Sequence, residues 1–155
     1  APVDWRGLNY YTRKLVAPGD HPLDPVAVEG PLEKTAMDWE VYPDGLLHFL
    51  RHAHSYAKGL PLHITENGLA AYDTLSGSEV DDAQRIAFLD VHMARVRAAI
   101  AEGIPVAGYF VWSLLDNYEW ALGYDKRFGL VHVDFDTLAR TPKASWHALK
   151  DALAR

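Results

Sequence analysis

The stretch DDAQRIAFLDVHMARVRAAIAEGIPVAGYFVWSL, residues 81–114, decides the fold class. In its first half, apolar residues recur at alternating spacings of three and four, which predicts a helix with one buried stripe. The stripe consists of Ile86, Leu89, Met93, Val96 and Ile100. Asp81 and Gln84 resemble a capping box at the start of this helix. Gly103 followed by Pro105 predicts its end.

The second half of the stretch, from Val106 to Leu114, is an almost unbroken apolar run. Such runs are typical of strands that are covered on both faces, as in a barrel wall beneath a layer of helices. Two earlier strands are predicted from Trp5 to Tyr11 and from Leu62 to Thr65. Because each of the three strands is followed by a helical pattern, the sequence predicts an α/β protein with parallel strands.

The other predicted elements are two helices, a loop and a hairpin arm. A helix is predicted over residues 43–59, a loop over 18–31 and a hairpin arm over 130–135. Thr141 followed by Pro142 predicts the start of a last helix. The predicted inner faces carry Leu46, Leu47, Leu50, Ala53 and Ala57 in the first of these helices, and Trp146, Leu149 and Leu153 in the last.

The composition is that of a globular domain and excludes several kinds of partner. A chain of 155 residues, 49% of them hydrophobic, is long enough to bury a sizeable core. The formal net charge is −6 and no run of Lys or Arg occurs, which argues against nucleic acid and membrane surfaces as partners. The longest apolar stretch, Val106 to Trp112, is too short to span a bilayer. The lack of cysteine favours a cytoplasmic protein without disulfides.

Unusual polar and aromatic residues follow the three predicted strands. They occur in Asn9-Tyr10-Tyr11, in Ile64-Thr65-Glu66-Asn67-Gly68, and from Trp112 to Trp120. In parallel α/β barrels the reacting groups come from the carboxyl ends of strands, so these segments are the candidates for a site. On the residues alone, the favoured interpretation is that Glu66 is a solvated acid beside a turn and that Trp112 and Trp120 are core aromatics.

Together, several segments closely resemble the signature segments of glycoside hydrolase family 1. They are Asn9-Tyr10-Tyr11, Thr35 to Glu40, Ile64 to Gly68, Gly108 to Trp120 and Lys126 to Gly129. The resemblance runs over essentially the whole chain in the expected order. It implies a retaining β-glycosidase of the β-glucosidase type, whose sixth, seventh and eighth barrel strands lie here. Residues 1–155 would then be the C-terminal three βα units of a (β/α)8 TIM barrel, incomplete on its own, with no second domain.

The resemblance also implies which residues act on the sugar bond. Glu66 matches the family's nucleophile, a carboxylate that forms a covalent glycosyl ester and leaves again. Tyr11 matches the tyrosine that donates a hydrogen bond to this nucleophile; a packed tyrosine with its hydroxyl bonded elsewhere is the alternative. The peptide bond after Trp112 is cis in the family.

Five residues match positions that bind the sugar in the family. Glu119 and Trp120 match the pair that hydrogen-bonds the sugar hydroxyls, and Trp112 matches the aromatic floor beneath the ring. Phe128 matches a position at the pocket edge, although plain core packing is an equal interpretation. Asn9 also lies near the family's pocket.

Half of the catalytic machinery has no counterpart in the sequence. The family's general acid/base is a glutamate in an Asn-Glu-Pro segment, which does not occur here. The chain begins with Ala-Pro rather than Met, as though upstream sequence had been removed. We expect the isolated chain to have little or no activity. We also expect its two open strand edges and its apolar inner face to be covered by the missing N-terminal barrel portion or by further copies in an oligomer. The alternative is a non-catalytic module that at most binds a β-glucoside weakly.

No metal or cofactor site is predicted. His48 and His52 are four residues apart on a predicted helix, with His54 nearby, a spacing that is able to bind metal. No third ligand accompanies them in sequence, so a solvated helix surface is favoured. The sequence has no phosphate-binding glycine loop and no serine nucleophile elbow, and we expect no cofactor.

Overall fold

The computed structural model describes residues 3–21, 23–57 and 59–154. Its strands and helices follow one another in this order: β1 Arg6–Asn9, β2 Leu15–Ala17, β3 Val26–Val28, α1 Pro43–Ala57, β4 Leu62–Asn67, α2 Ala83–Ala101, β5 Val106–Val111, β6 Val131–Val133, β7 Arg140–Pro142 and α3 Ala144–Leu153. One turn of 3₁₀ helix, Trp120–Leu122, lies between β5 and β6.

A three-stranded parallel sheet in the order β1-β4-β5 forms the centre of the molecule. Leu8 pairs with Ile64, and Ile64 pairs with Tyr109 on its other side. Each strand is followed by a helix, which confirms the predicted α/β class with parallel strands. The described residues form three strand–helix units of the barrel type but no closed barrel.

The main hydrophobic core lies between this sheet and helices α1 and α2. The sheet contributes Leu62 and Ile64, and α1 contributes Leu46 and Leu50, all fully buried. Burying one such aliphatic side chain contributes about 1.5–3 kcal/mol. The predicted inner face of α1 is confirmed, since Leu47 and Ala53 are partly buried against the same cluster and Ala57 is fully buried.

Helix α2 buries Leu89 and Val96 of its predicted stripe but departs from the prediction at Ile100 and at its cap. Ile100 is 52% exposed, whereas the polar residues Arg85 and His92 are completely buried. The helix begins after Asp82, whose side chain does not cap it. Instead, the Asp82 carboxylate accepts hydrogen bonds from Arg85 and Ser145. The capping-box prediction was therefore wrong because buried ionic contacts, which an apolar pattern does not detect, orient the start of α2.

The second face of the sheet is open, as predicted for three strands without the rest of a barrel. Phe110 in β5 is 57% exposed and Trp5 is 52% exposed. Together with His63 and Thr65 they line a hollow on the face opposite the helices. The continuous apolar pattern of β5 is typical of a strand inside a complete barrel, and the described residues supply only the outer, helical cover.

Several element boundaries differ from those predicted. The segment 18–31 is not entirely loop, because β3 lies within it and pairs with β2 in an antiparallel hairpin. β4 continues two residues beyond the predicted end, and β5 ends at Val111, three residues before its predicted end at Leu114. The strand predicted from Trp5 to Tyr11 is confined to Arg6–Asn9.

The C-terminal hairpin shortens the last helix. β6 lies in the predicted arm and pairs with β7, which includes Thr141 and Pro142, so α3 begins at Ala144. Trp146, Leu149 and Leu153 share one face as predicted and line an apolar groove. Leu153 on that face is nevertheless 75% exposed. No helix in residues 3–21, 23–57 and 59–154 is both long enough and apolar enough to cross a membrane.

Candidate active site

The carboxyl ends of the three parallel strands bring the candidate residues together. Asn9 pairs with Glu66 in the register of β1 and β4, and the amide of Tyr10 donates to the Glu66 carbonyl at 2.9 Å. On the other side, the amide of Trp112 donates to the Asn67 carbonyl at 2.9 Å. The three motif segments are thus adjacent in space because the strands that precede them are hydrogen-bonded neighbours.

A hydrogen bond joins the two residues predicted to carry out the chemistry. The Tyr11 hydroxyl donates to Oε2 of Glu66 at 2.6 Å. Burial and this bond to a carboxylate raise the pKa of Tyr11 well above its usual range, so the phenol keeps its proton at neutral pH. The alternative of a Tyr11 hydroxyl bonded elsewhere does not hold in this structure.

The backbone around Tyr11 is tied to the segment that precedes α1. The Tyr10 hydroxyl donates to the Tyr42 carbonyl at 2.5 Å, and Arg13 Nε donates to Glu40 Oε2 at 2.7 Å. The hydrogen bond from Arg13 holds the pKa of the Glu40 carboxyl below its usual value, so this pair is ionised. Contacts on both sides of Tyr11 therefore fix the direction of its side chain.

Asn67 and Tyr109 hold the strand ends together immediately behind Glu66. The buried Asn67 amide donates to the Tyr10 carbonyl at 2.6 Å and accepts from the Tyr109 hydroxyl at 2.6 Å. Position 68 must be glycine because the backbone of Trp112 passes close to it: a Cβ there would lie 1.8 Å from the Trp112 carbonyl oxygen. The sequence contained Asn67 within a motif but gave no signal that it ties together β1, β4 and β5.

Glu119 lies within electrostatic range of Glu66. Burial raises the pKa of Glu119, and the negative charge of Glu66 raises it further. Within the described residues, the buried Oε2 of Glu119 has no hydrogen-bond partner. A buried carboxylate oxygen without a partner is costly, which makes this atom a candidate acceptor for a ligand hydroxyl.

The two candidate tryptophans occupy different environments. Trp112 is half-buried and its peptide bond to Ser113 is cis, as the resemblance implied. Trp120 begins the 3₁₀ turn with a φ of 45° and is 82% exposed. A large exposed indole beside Glu119 gives this edge of the site an apolar surface that is accessible to a ligand.

An aromatic cluster borders the nucleophile. Phe128 is 2% exposed and its ring centroid lies 6.1 Å from that of Tyr11. Trp39 lies 5.5 Å from the Tyr11 ring and 6.4 Å from the Phe128 ring. Phe128 therefore packs in the wall of the site. Trp39 was missed as a site residue, although the motif Thr35 to Glu40 contained it.

The remaining candidates lie at the margins. Asn9 is exposed and its Oδ1 accepts a hydrogen bond from Thr65 Oγ1 at 2.6 Å, so it borders the open face of the sheet. The rings of His48 and His52 stack with centroids 6.2 Å apart on the exposed side of α1. The part of the chain that the structure describes contains no cluster of three metal-ligating side chains.

Residues 1–155 match the family model Glycosyl hydrolase family 1. The chain belongs to this family. It is 45% identical over 150 residues to beta-glucosidase A of Thermotoga maritima, covering 94% of this chain and 34% of that protein. It is 40% identical over 166 residues to a bifunctional beta-D-glucosidase/beta-D-fucosidase of Bifidobacterium breve, covering 94% of this chain and 36% of that protein.

Solved structures of this glycosyl hydrolase family confirm the fold class. A beta-glucosidase from Thermotoga maritima in complex with glucoimidazole matches with a TM-score of 0.94 and 43% identity, over 99% of this chain and 35% of that one. A GH1 beta-glucosidase from Exiguobacterium antarcticum B7 matches with a TM-score of 0.94 and 37% identity, over the same shares. The family 1 chain therefore spans about a third of the length of these TIM-barrel relatives.

Proposed function

We propose that this chain supplies the nucleophile and the sugar-hydroxyl contacts of a retaining β-glycosidase that acts on β-linked glucosides. The observation that carries the proposal is the 2.6 Å hydrogen bond from Tyr11 to Glu66, beside a Glu119 oxygen that is buried and unpartnered in the described structure. A carboxylate held by a neutral phenol, next to a free acceptor for a hydroxyl, suits a site for a neutral sugar. The relatives' names support the choice of β-glucosides.

In the proposed reaction Glu66 acts as the nucleophile. One of its oxygens forms a bond to the anomeric carbon while the bond from that carbon to the leaving oxygen breaks. The leaving oxygen takes a proton from a general acid that lies outside this chain. Water then attacks the anomeric carbon and gives a proton to the same group, now acting as a base, while the bond to Glu66 breaks and Glu66 departs as a carboxylate. Tyr11 keeps its proton throughout and orients Glu66 by donating to its Oε2.

Glu119, Trp120 and Trp112 are proposed to hold the sugar. Glu119 accepts hydrogen bonds from sugar hydroxyls through its unpartnered oxygen. The exposed indole of Trp120 lies beside it, and Trp112 is proposed as the floor of the pocket. The raised pKa of Glu119 would also suit a general acid. We assign it to binding because the family resemblance places the acid in an Asn-Glu-Pro segment that this sequence lacks.

We further propose that a complete site needs the rest of a barrel. Residues 1–155 would be the C-terminal part of one barrel domain, and its open face, lined by Trp5 and Phe110, would be covered by the N-terminal portion or by further copies. A non-catalytic module that binds sugar weakly is the second candidate, supported by the same open face. The cytoplasmic location predicted from composition stays a prediction.

A completed barrel tests the proposal. The completed barrel is a fusion of the N-terminal two thirds of the Thermotoga maritima relative with this chain. It should hydrolyse an aryl β-glucoside. Glu66→Ala should abolish this activity, whereas Glu102→Ala, a matched change on the outer surface, should not. The isolated chain should be nearly inactive, because lost positioning and acid catalysis each cost orders of magnitude in rate. A folded chimera without turnover would contradict the glycosidase proposal. Robust turnover by the isolated chain that depends on Glu66 would contradict the need for completion.

A further inference from the structure

The segment 117–126, which carries Glu119 and Trp120, has little structure of its own. It contains one 3₁₀ turn, and most of its large side chains are exposed. Within it, the Glu119 amide donates to the Gly123 carbonyl at 2.6 Å, three further backbone hydrogen bonds close short turns, and the rings of Tyr118 and Tyr124 lie 5.2 Å apart. Because these internal contacts are short-range, the direction of the segment relative to the sheet depends on how its two ends are held.

An ion pair joins the two residues that flank this segment. Arg127 Nη1 donates to Oδ2 of Asp116 at 2.7 Å. The same carboxylate accepts from Lys143 Nζ at 2.7 Å and from the amide of Gly129 at 2.9 Å. A Cβ on Gly129 would lie 2.2 Å from the Asp116 amide nitrogen, so only glycine permits this approach.

A second set of contacts anchors this ion pair to the rest of the fold. Lys143, which precedes α3, also donates to Asp73 in the loop that follows β4. Arg85 of α2 donates to Asp73 at 2.7 Å and to the Arg127 carbonyl at 2.8 Å. The strand that carries Glu66 and the segment that carries Glu119 are thereby connected through charged side chains.

Stability alone is a poor explanation for this arrangement. The side chains of Asp116 and Lys143 are fully buried, and that of Arg127 is 18% exposed. Buried ion pairs seldom add net stability relative to well-packed apolar residues, because desolvation offsets the attraction between the charges. Their directional hydrogen bonds do favour one geometry over its alternatives. We propose that Asp116, Arg127 and Lys143 form a clasp that positions Glu119 and Trp120 for the sugar.

The clasp consists of positioning residues, and its role in sugar binding rests on the proposed function. Its effect on the order of the segment 117–126 does not depend on the proposed function. Arg127 is the best member to change, since it is the least buried of the three. Arg51 provides a matched control, because its Nη2 lies 2.6 Å from Glu102 Oε1 in an exposed ion pair between helices α1 and α2.

Backbone ¹⁵N relaxation of the 155-residue chain tests the clasp directly. In Arg127→Met, order parameters over residues 118–124 should fall from about 0.85 to below about 0.6, while those of β5 stay unchanged. Arg127→Lys, which keeps the charge, should restore much of the order, and Arg51→Met should alter neither region. Arg127→Gln, which keeps a donor, serves if Arg127→Met does not fold. Unchanged order in folded Arg127→Met, or in Arg127→Gln where that variant replaces it, would overturn the proposal, as would an equal loss of order throughout the chain.

Ligand binding by the completed barrel tests whether the clasp positions the sugar-binding residues. The dissociation constant for glucoimidazole should rise about tenfold in Arg127→Met, whereas it should stay unchanged in Arg51→Met. An affinity that does not change in Arg127→Met would overturn the positioning role. If the unmodified completed barrel binds no glucoimidazole, the proposed function fails, and the relaxation data alone decide whether the clasp exists.

Discussion

The two faces of the central sheet differ in how completely this chain covers them. On the helical face, Leu46, Leu50 and Ile64 are fully buried beneath α1 and α2. On the opposite face, Trp5 and Phe110 are more than half exposed around a hollow. The chain therefore covers the outer face of the sheet with its own helices and leaves the inner face exposed. The candidate site lies at the carboxyl edge of the same strands.

The largest expected effect comes from truncating one side chain on each face. In the isolated chain, Leu50→Ala should lower the free energy of unfolding by about 2–5 kcal/mol, because it leaves a cavity in a closed core. Phe110→Ala should change it by less than about 0.5 kcal/mol, since the ring is already exposed. Chemical denaturation of both variants measures the difference.

The completed barrel sharpens this contrast. Phe110→Ala should there cost several kcal/mol, approaching the effect of Leu50→Ala, because the added strands bury the ring. A large effect of Phe110→Ala in the isolated chain would contradict an open inner face. A negligible effect in the completed barrel would mean that the added portion does not cover it.

A smaller effect concerns the pH dependence of stability, through a histidine that is buried on the helical face. Burial lowers the pKa of His92 to about 4, and its Nδ1 lies 2.8 Å from the Phe88 carbonyl oxygen. Between pH 6.5 and pH 4 the unfolded chain binds a proton at this residue that the folded chain does not. Stability should therefore fall as the pH falls through this window, by about 3 kcal/mol from His92 alone.

Replacing the histidine isolates this contribution. His92→Leu should flatten the dependence of unfolding free energy on pH between 6.5 and 4, whereas His54→Leu, at an exposed position on α1, should leave the slope as it is. Denaturation curves at several pH values measure both slopes. An identical slope in His92→Leu would mean that the imidazole takes up its proton inside the fold.

The smallest of these effects concerns the carboxyl edge of the sheet. Tyr11→Phe in the completed barrel should lower kcat/KM about 10- to 100-fold, since a hydrogen bond to a charged group contributes about 1.5–3 kcal/mol. Tyr56→Phe, a matched change at an exposed position on α1, should leave the activity unchanged. Equal activity of Tyr11→Phe and the unmodified barrel would show that the bond to Glu66 has no part in catalysis.

The sequence predicted the features that depend on local pattern. Periodicity located α1, α2 and the parallel strands, and the strand-end motifs located Glu66, Tyr11 and Glu119 at one edge. It did not predict the buried Arg85 and His92, because an apolar stripe gives no information about polar groups that are satisfied by tertiary contacts. The open face of β5 was predicted only indirectly, because the amino-acid pattern is that of a strand in a complete barrel and the strand count showed the barrel to be incomplete.

The central claim is that Glu66 attacks the sugar. Mass spectrometry of the completed barrel, treated with an activated 2-fluoro-β-glucoside whose glycosyl ester hydrolyses slowly, tests it most directly. The account predicts one added fluoroglucosyl group on the peptide that contains Glu66, and none in Glu66→Gln. A stable adduct on Glu119, or turnover with no adduct at Glu66, would contradict it.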